Sequence, residues 1–386
     1  MPDLVHPKVT VIVVNYNSRN KWDIVSSSLK CILSLDYRPL EIIIVDNGST
    51  DGSFEMIKRL LSDAKLDADL NVKIIRLSKN YGFAVANIIA YRFRDPKSKY
   101  ITLINNDACP ERDSLKKLVN YLENLSDKVA GLQGIILSWD GRYILSYGGF
   151  VLDHGLLKGG IGAFMESNIV SQLKPVIATY IDGAYSLYRV EALEKAGGLF
   201  LPYFFMWGDD YELGVRLWRA GYILLALPIV VARHYSGATT SIKSSLHDVQ
   251  TMPYIYEYWY RVGNVAVDIL YNYPWYLFAL MRKVIALLSY ALVRRSKAML
   301  RGIIDGIGLG IKLRKKVLQT MPWLKTCREP IVRTRALYET VFLLYLSQKH
   351  GFKRAGRLYY TLIARSLGRK CLNLEARDRR ICSLVH

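Results

Sequence analysis

The sequence lacks every arrangement of cysteine that would staple a small fold or hold a metal. Its five cysteines, Cys31, Cys109, Cys327, Cys371 and Cys382, are scattered, with no pair at metal-ligand or redox spacing. No disulfide framework is implied, and free thiols in a reducing compartment are expected. A glycine-rich phosphate cradle is missing too. Neither G-x-G-x-x-G nor a P-loop follows the first β-branched stretch, which removes the commonest dinucleotide and ATP readings. No basic start and cleavage site precede "KVTVIVVNYN", so no signal peptide is read and the protein is expected on the cytoplasmic side. A spanning helix needs about 20 predominantly apolar residues. Asp268, Asn272, Pro274 and the Arg282-Lys283 pair interrupt every such window after residue 250. There is no internal repeat and no low-complexity tract.

What the sequence does have is a core and an uneven charge. About half of its 386 residues are apolar, enough for two packed domains and unlike a disordered chain. The net charge of +20 is concentrated late: residues 251–386 hold 25 Lys and Arg against 7 Asp and Glu. A nearly neutral body, residues 1–250, is therefore expected to precede a basic, aromatic-rich helical region, residues 251–386.

Short β-branched runs stand at Val9 to Val14, Leu40 to Val45, Val72 to Arg76 and Tyr100 to Ile104. The segments between them, around 19–35, 52–62 and 83–94, are long enough for helices. Strand, crossover and strand at this spacing predict an α/β fold, a mainly parallel sheet with helices on both faces. Ligands of such sheets bind beyond the carboxyl ends of the strands. Those ends are polar here: Asn15-Tyr16-Asn17, Asp46-Asn47-Gly48-Ser49 and Asn105-Asn106-Asp107. Asp46 could accept from a base or ribose, or serve as an Asx-turn residue before Gly48.

The strings "VIVVNYN", "IIIVDNGSTDGS", "NYGFAVANIIA", "LINNDACP", "YIDGAYSLYRVEALEKAGGLF", "FFMWGDDYELGVRLWRAGY" and "RHYSG" follow one another over roughly residues 8–240. In content and order they resemble the family 2 glycosyltransferases, more narrowly the rhamnosyltransferase-like and galactofuranosyltransferase-like branches. The resemblance implies a GT-A fold that binds a nucleotide-activated sugar, UDP- or dTDP-linked, and transfers the sugar with inversion. Carried over by position, Asn15, Tyr16 and Asn17 would line the nucleotide pocket and Asp46 would contact the base. Asn80, Gly82, Phe83 and Asn87 would close over nucleoside and diphosphate, with Asn106 also on the donor side. Gly82 has a plain physical use as well, since only glycine lets a backbone come close or turn freely. Asp182 would sit beside the donor sugar or the acceptor; its other reading is a turn acid before Gly183.

The resemblance also gives Asp107 and His234 as ligands of a divalent metal, Mg²⁺ or Mn²⁺, which suits carboxylate oxygen with imidazole acceptable to Mn²⁺. Asn105 stands where many members carry an acid. A lone histidine at a strand end is otherwise a common structural residue.

The adjacent acids Asp209 and Asp210 lie where Leu213, Leu217 and Trp218 begin a helical apolar face that Gly221 would end. Helix capping alone would use one acid there. Phe204, Phe205 and Trp207 just before the pair would form an apolar platform for a sugar ring. Transfer needs a general base for the acceptor hydroxyl, and the motif assigns it to Asp210, with Asp209 orienting it or holding a hydroxyl.

The later region suits amphipathic helices at a membrane interface, where basic side chains meet anionic headgroups, and an acceptor that is lipid-linked or a growing glycan. An ordinary helical domain with a basic face is the plainer alternative. Basic charge also raises nucleic-acid binding, but no helix-turn-helix, zinc-ligand or RNA-recognition signature is present, so nucleic acid is not an expected partner. A sugar-nucleotide pyrophosphorylase would need a Gly-rich Arg and Lys loop after its first strand, which is absent.

Overall fold

A computed structural model describes residues 6–67, 69–151, 158–160, 163, 165–236, 254–272 and 277–325. The expected domain boundary near residue 250, the basic stretch 347–370 and Cys327, Cys371 and Cys382 lie outside the described residues.

The chain opens with β1 (Val9–Asn15), α1 (Trp22–Leu33), β2 (Leu40–Asp46), α2 (Ser53–Asp63), β3 (Leu70–Arg76), α3 (Phe83–Arg92) and β4 (Tyr100–Ile104). These are the four strands and three helices that the β-branched runs and their spacing predict. Then come β5 (Ala108–Pro110), α4 (Ser114–Glu123), β6 (Val129–Ser138), β7 (Ile144–Ser146), β8 (Gly149–Val151) and β9 (Lys158–Gly160). β10 (Val176–Ala178), β11 (Tyr185–Arg189), α5 (Val190–Lys195), α6 (Asp209–Arg219) and β12 (Ile223–His234) follow. Three longer helices are α7 (Tyr254–Asn272), α8 (Leu277–Val293) and α9 (Lys297–Thr320).

The large sheet has the order β10-β12-β6-β11-β4-β1-β2-β3, with β5 on β12 and β7 on β6. β1 pairs in parallel with β2 on one side and β4 on the other, and β3 continues beyond β2. β11 then runs antiparallel between β4 and β6, while β6 and β12 are parallel. The chain thus leaves β1 toward β2 and later returns to its other side as β4, which makes β1/β4 the point where strand order reverses and a ligand crevice opens. Asn15, Asp46, Asn105–Asp107 and His234 all follow or end co-directional strands, so they share one rim. Because β11 is antiparallel, the residues just before it, including Asp182, enter at that same rim.

Side chains alternate between faces along each strand. Val9, Val11 and Val13 of β1 pack with α1, α2 and α4 in one core, whereas Ile12 joins α3, α5 and α6 in the other. Ala266, Val267 and Leu270 of α7 and Leu313 and Val317 of α9 belong to this second core, so both helices pack on the α6 side of the sheet. α8 adds Leu280 and Ala291 to a smaller cluster with Val265 and Ile303.

Two sequence features acquire their reason here. Gly302, Gly306 and Gly310 form a ridge on α9 against α7; a Cβ at Gly302 would lie 2.6 Å from the Tyr258 carbonyl oxygen, and one at Gly310 would lie 2.8 Å from that of Ala266. Cys31 of α1 and Cys109 of β5 form a disulfide, which corrects the expectation of free thiols for this pair. Their separation of 78 positions gave no spacing signal; the pairing of β5 with β12 brings β5 to α1.

Candidate active site

The loops after β1 and β2 are laced together at the rim. Asn15, fully buried, donates through Nδ2 to Asp46 Oδ1 at 3.1 Å. Its Oδ1 accepts from Ser18 Oγ at 2.6 Å and from Asn106 Nδ2 at 2.9 Å, a bond that spans the β1/β4 reversal. Asp46 is equally buried, and its Oδ2 accepts from Ser49 N at 3.1 Å, so the turn role weighed for it is realised. Asn17, at φ 44°, accepts from Thr50 N at 2.9 Å and donates its own N–H to Ser49 Oγ at 3.0 Å. Tyr16 is half-buried beside them.

A second lacing holds the approach to α3. Asn47 Nδ2 donates to Asn80 Oδ1 at 2.9 Å and to the Gly82 carbonyl at 3.2 Å, while its Oδ1 accepts from Tyr81 N at 3.0 Å. Asn80 Oδ1 also accepts from Gly82 N at 2.8 Å. Gly82, at φ 86° and ψ 167°, precedes the helix in a region essentially reserved for glycine. A Cβ there would lie 2.3 Å from the Phe205 carbonyl oxygen. That oxygen accepts from Phe83 N at 2.7 Å, which ties the start of α3 to the loop before the acidic doublet. Asn87 is buried and donates back to the Phe83 carbonyl at 2.9 Å, so it steadies the helix start from within.

Asp107 Oδ1 lies 2.8 Å from His234 Nε2, and the Asp107 carbonyl accepts from Tyr235 N at 3.0 Å. The pairing of β5 with β12 places Ala108 opposite His234 and so sets Asp107 beside the ring. Asn105 Nδ2 is 3.4 Å from the same imidazole nitrogen. Burial pushes the His234 pKa down, but the charge and hydrogen bond of Asp107, with Asp182 behind, outweigh it and hold the imidazole above its ordinary value. One carboxylate oxygen facing one imidazole nitrogen is a donor set that fits Mn²⁺, whereas Mg²⁺ would use the carboxylate alone. No three His, Cys, Asp or Glu converge on one ion among the described residues, so such an ion would take its other ligands from substrate and water.

Asp182 stands at the entry to β11. Its N–H donates to the buried Gln133 Oε1 at 2.7 Å and its Oδ1 accepts from Ala184 N at 2.8 Å, the turn that Gly183 suggested. Its charge acts on His234 and, with those of Asp209 and Asp210, on Tyr188, whose pKa is raised first by burial. Asp182 thus adds its charge to that of Asp107 at His234 and to those of the doublet at Tyr188.

The doublet opens α6, but neither acid is its N-cap. Gly208, at φ 88°, occupies that position, and Asp209 and Asp210 are the first two helical residues. They still face the positive end of the helix dipole. Asp209 is buried, whereas Asp210 is half-buried and accepts from Tyr211 N at 2.6 Å. Trp207 just before them has φ 61°, a left-handed backbone that costs a non-glycine residue of order 1–3 kcal/mol and clusters at functional sites. α6 ends as expected at Gly221, with Tyr222 N bonded to the Leu217 carbonyl and Gly221 N to that of Trp218, both at 3.0 Å. A buried pair anchors its middle: Arg216 Nε and Nη2 donate to Glu212 at 2.8 and 3.1 Å, and its remaining donors reach the carbonyls of Ala196, Gly198 and Leu199.

Sequence reasoning passed over Asn47 and Gln133. Asn47 lay inside the string "IIIVDNGSTDGS" and was detectable as a polar residue at a strand tip; Gln133, in mid-strand, gave no signal.

Co-directional strands, a crevice at the β1/β4 reversal and an acid-bearing rim define a GT-A fold. The Glycosyl transferase family 2 model matches residues 10–197. An uncharacterized glycosyltransferase of Haemophilus influenzae is 30% identical over 116 residues, 30% of this chain and 42% of that protein. The match therefore spans under half of that relative's length. The dolichyl N-acetyl-alpha-D-glucosaminyl phosphate 3-beta-D-2,3-diacetamido-2,3-dideoxy-beta-D-glucuronosyltransferase of Methanococcus voltae is 22% identical over 323 residues, 81% of this chain and 91% of that one. Among solved structures, GalNAc-T7 with UDP, GalNAc and Mn²⁺ superposes with a TM-score of 0.51 at 14% identity, over 83% of this chain and 58% of that one.

Proposed function

We propose that this chain is an inverting glycosyltransferase. It moves a hexosyl or deoxyhexosyl group from a nucleoside-diphosphate donor, UDP- or dTDP-linked, to a hydroxyl of a lipid-linked or polysaccharide acceptor. The rhamnosyltransferase-like and galactofuranosyltransferase-like motifs favour those sugars. Residues 1–250 form the donor-binding and catalytic part and residues 251–386 the part that meets the membrane on its cytoplasmic face.

The observation that carries this reading is the Asp107–His234 pair, 2.8 Å apart at the rim where Asp182 also enters, together with the half-buried Asp210 in the first turn of α6. Asp210 takes the proton from the acceptor hydroxyl as its oxygen forms a bond to the anomeric carbon and the bond from that carbon to the diphosphate breaks. Asp209, buried at the preceding position, fixes the helix start and orients its neighbour. Asn15, Asn17, Asp46 and Asn106 shape the nucleotide side, where Tyr16 offers a half-exposed ring. Asn80, Gly82, Phe83 and Asn87 form the turn that closes over the donor. Asp107 and His234 would hold a divalent ion, which when bound neutralises charge on the departing diphosphate.

The lipid-linked acceptor is supported by the Methanococcus voltae relative, whose name specifies a dolichyl phosphate acceptor and whose match covers most of both chains. No helix among the described residues is long and apolar enough to cross a membrane. α8 instead exposes Leu277, Met281, Ile285 and Leu292, and Arg294, Arg295 and Lys297 follow at its end, a pattern suited to lying on an anionic surface.

Asp210→Asn tests the proposal. The variant should fold and retain donor binding, seen as a rise in melting temperature with nucleotide sugar and Mn²⁺, while transfer falls by several orders of magnitude. Near-normal turnover would refute the assignment.

A further inference from the structure

The aromatic run before the doublet does not stand alone. α7 lays Tyr256, Trp259 and Tyr260 against it, spaced so that they share one helical face. The ring of Trp207 sits edge-on to both tyrosines, 5.7 Å from Tyr256 at 84° and 6.0 Å from Tyr260 at 79°. Phe205 stacks on Trp259 at 4.9 Å and 29°. The helix comes this close because a glycine meets the loop: a Cβ at Gly263 would lie 2.2 Å from the Trp207 carbonyl oxygen. All five rings are only partly buried, unlike the core aromatics of the sheet. On the donor side, the Tyr256 hydroxyl is held above its ordinary pKa first by burial and then by the neighbouring Tyr16. The cluster reaches Trp207, three residues before Asp210.

Partly exposed aromatic rings beside a general base match the needs of a pyranose ring. Its apolar CH face lies on aromatic carbon, while its hydroxyls remain available to water and to the base. The rings carry no charge, and charges of both signs flank them, Asp209 and Asp210 after Trp207 and the Arg261 guanidinium 5.3 Å from the Tyr260 ring, so a neutral sugar is favoured. From this we infer that α7 supplies half of the acceptor subsite: Tyr256, Trp259 and Tyr260, together with Trp207, bind the terminal neutral pyranose of the acceptor and direct its hydroxyl to Asp210. The inference rests on the glycosyltransferase reading and makes α7 an element of substrate recognition. The backbone strain at Trp207 fits this role, because it fixes the indole at the junction of the two surfaces.

Saturation-transfer NMR on the full chain tests it, with octyl β-glycosides of glucose, galactose and N-acetylglucosamine as probes and methyl β-glucuronide as the charged control. At least one neutral glycoside should receive saturation at its ring CH protons, more strongly when aromatic rather than methyl resonances are irradiated; the glucuronide should receive none. Tyr256→Ala and Tyr260→Ala should each weaken binding of that glycoside roughly tenfold, about the worth of one aromatic contact, and Tyr256→Phe should restore it. The aromatic-versus-methyl comparison needs no variant and stands even if an alanine variant fails to fold. Equal transfer from methyl resonances, binding unchanged in both folded alanine variants, or no binding of any neutral glycoside would each overturn the subsite. Release of nucleoside diphosphate from a nucleotide-sugar panel by the wild-type chain in water is measured separately. Its absence for every donor would sink the glycosyltransferase reading, whereas its presence with a negative NMR result would sink the subsite alone.

Discussion

Asp107 Oδ1 meets His234 Nε2 at 2.8 Å although they stand 127 positions apart in the chain. The contact is made by β5, which turns back from the end of β4 and pairs with the last residues of β12. If this pair holds a divalent ion, Mn²⁺ with UDP should raise the melting temperature more than UDP alone. His234→Ala and Asp107→Asn should each abolish the Mn²⁺ increment. A full increment in both variants would place the ion elsewhere.

Gly82 allows no side chain. Its backbone lies in the glycine-only region and a Cβ would fall 2.3 Å from the Phe205 carbonyl oxygen. Gly82→Ala should therefore cost about 3 kcal/mol or more in urea unfolding. It should also break the Phe83–Phe205 hydrogen bond, with weaker donor binding as the second readout. A loss below 1 kcal/mol would show that the loop relaxes freely.

Arg216 and Glu212 are fully buried and face each other through two hydrogen bonds. Burial pulls the guanidinium pKa down, but Glu212 more than offsets it. Arg216→Met leaves a buried carboxylate uncompensated and three carbonyls without a donor, so about 3–5 kcal/mol of stability should be lost. Glu212→Leu in the same chain should recover part of it, as chemical denaturation would reveal.

Asp51 links the two rim loops. It accepts from Arg19 N at 2.7 Å and from Ser53 N and Oγ at 3.0 and 2.6 Å. Burial alone would raise its pKa, yet these hydrogen bonds prevail and hold it below the ordinary carboxylate value. A depressed carboxyl contributes stability that is complete above the unfolded pKa, about 3.9, and is lost as pH falls through the folded value. Thermal melts between pH 6 and pH 3 should fall more steeply for the wild type than for Asp51→Asn, and parallel curves would exclude the contribution.

Attachment to a membrane through α8 predicts flotation with vesicles containing anionic lipid. Met281→Glu with Ile285→Glu, both at exposed positions, should abolish flotation without altering the melting temperature. Flotation that survives the pair would assign the attachment to another surface.

The first half of the fold was readable because β1 to β4 are short β-branched runs whose alternate residues feed two cores. The strand tips Asn15, Asp46 and Asp107 followed from it. The antiparallel β11 was not readable, since its pairing depends on partners over 50 residues away rather than on its own sequence. The capping of α6 differed because Gly208, with its left-handed backbone, takes the position that an acid would fill in an ordinary helix start. The aromatics of α7 carried a helical pattern that suited a lipid interface equally well. Only their packing against Phe205 and Trp207 separates the two uses.

The Cys31–Cys109 bridge turns a long stretch of the chain into a covalent ring that contains Asp46, Asn80, Gly82 and Asp107. A protease cutting once anywhere within that ring would leave both fragments in a single molecule, migrating as one species until a reductant separates them. Most of the rim loops thus stay tethered to one another even when the backbone between them is severed.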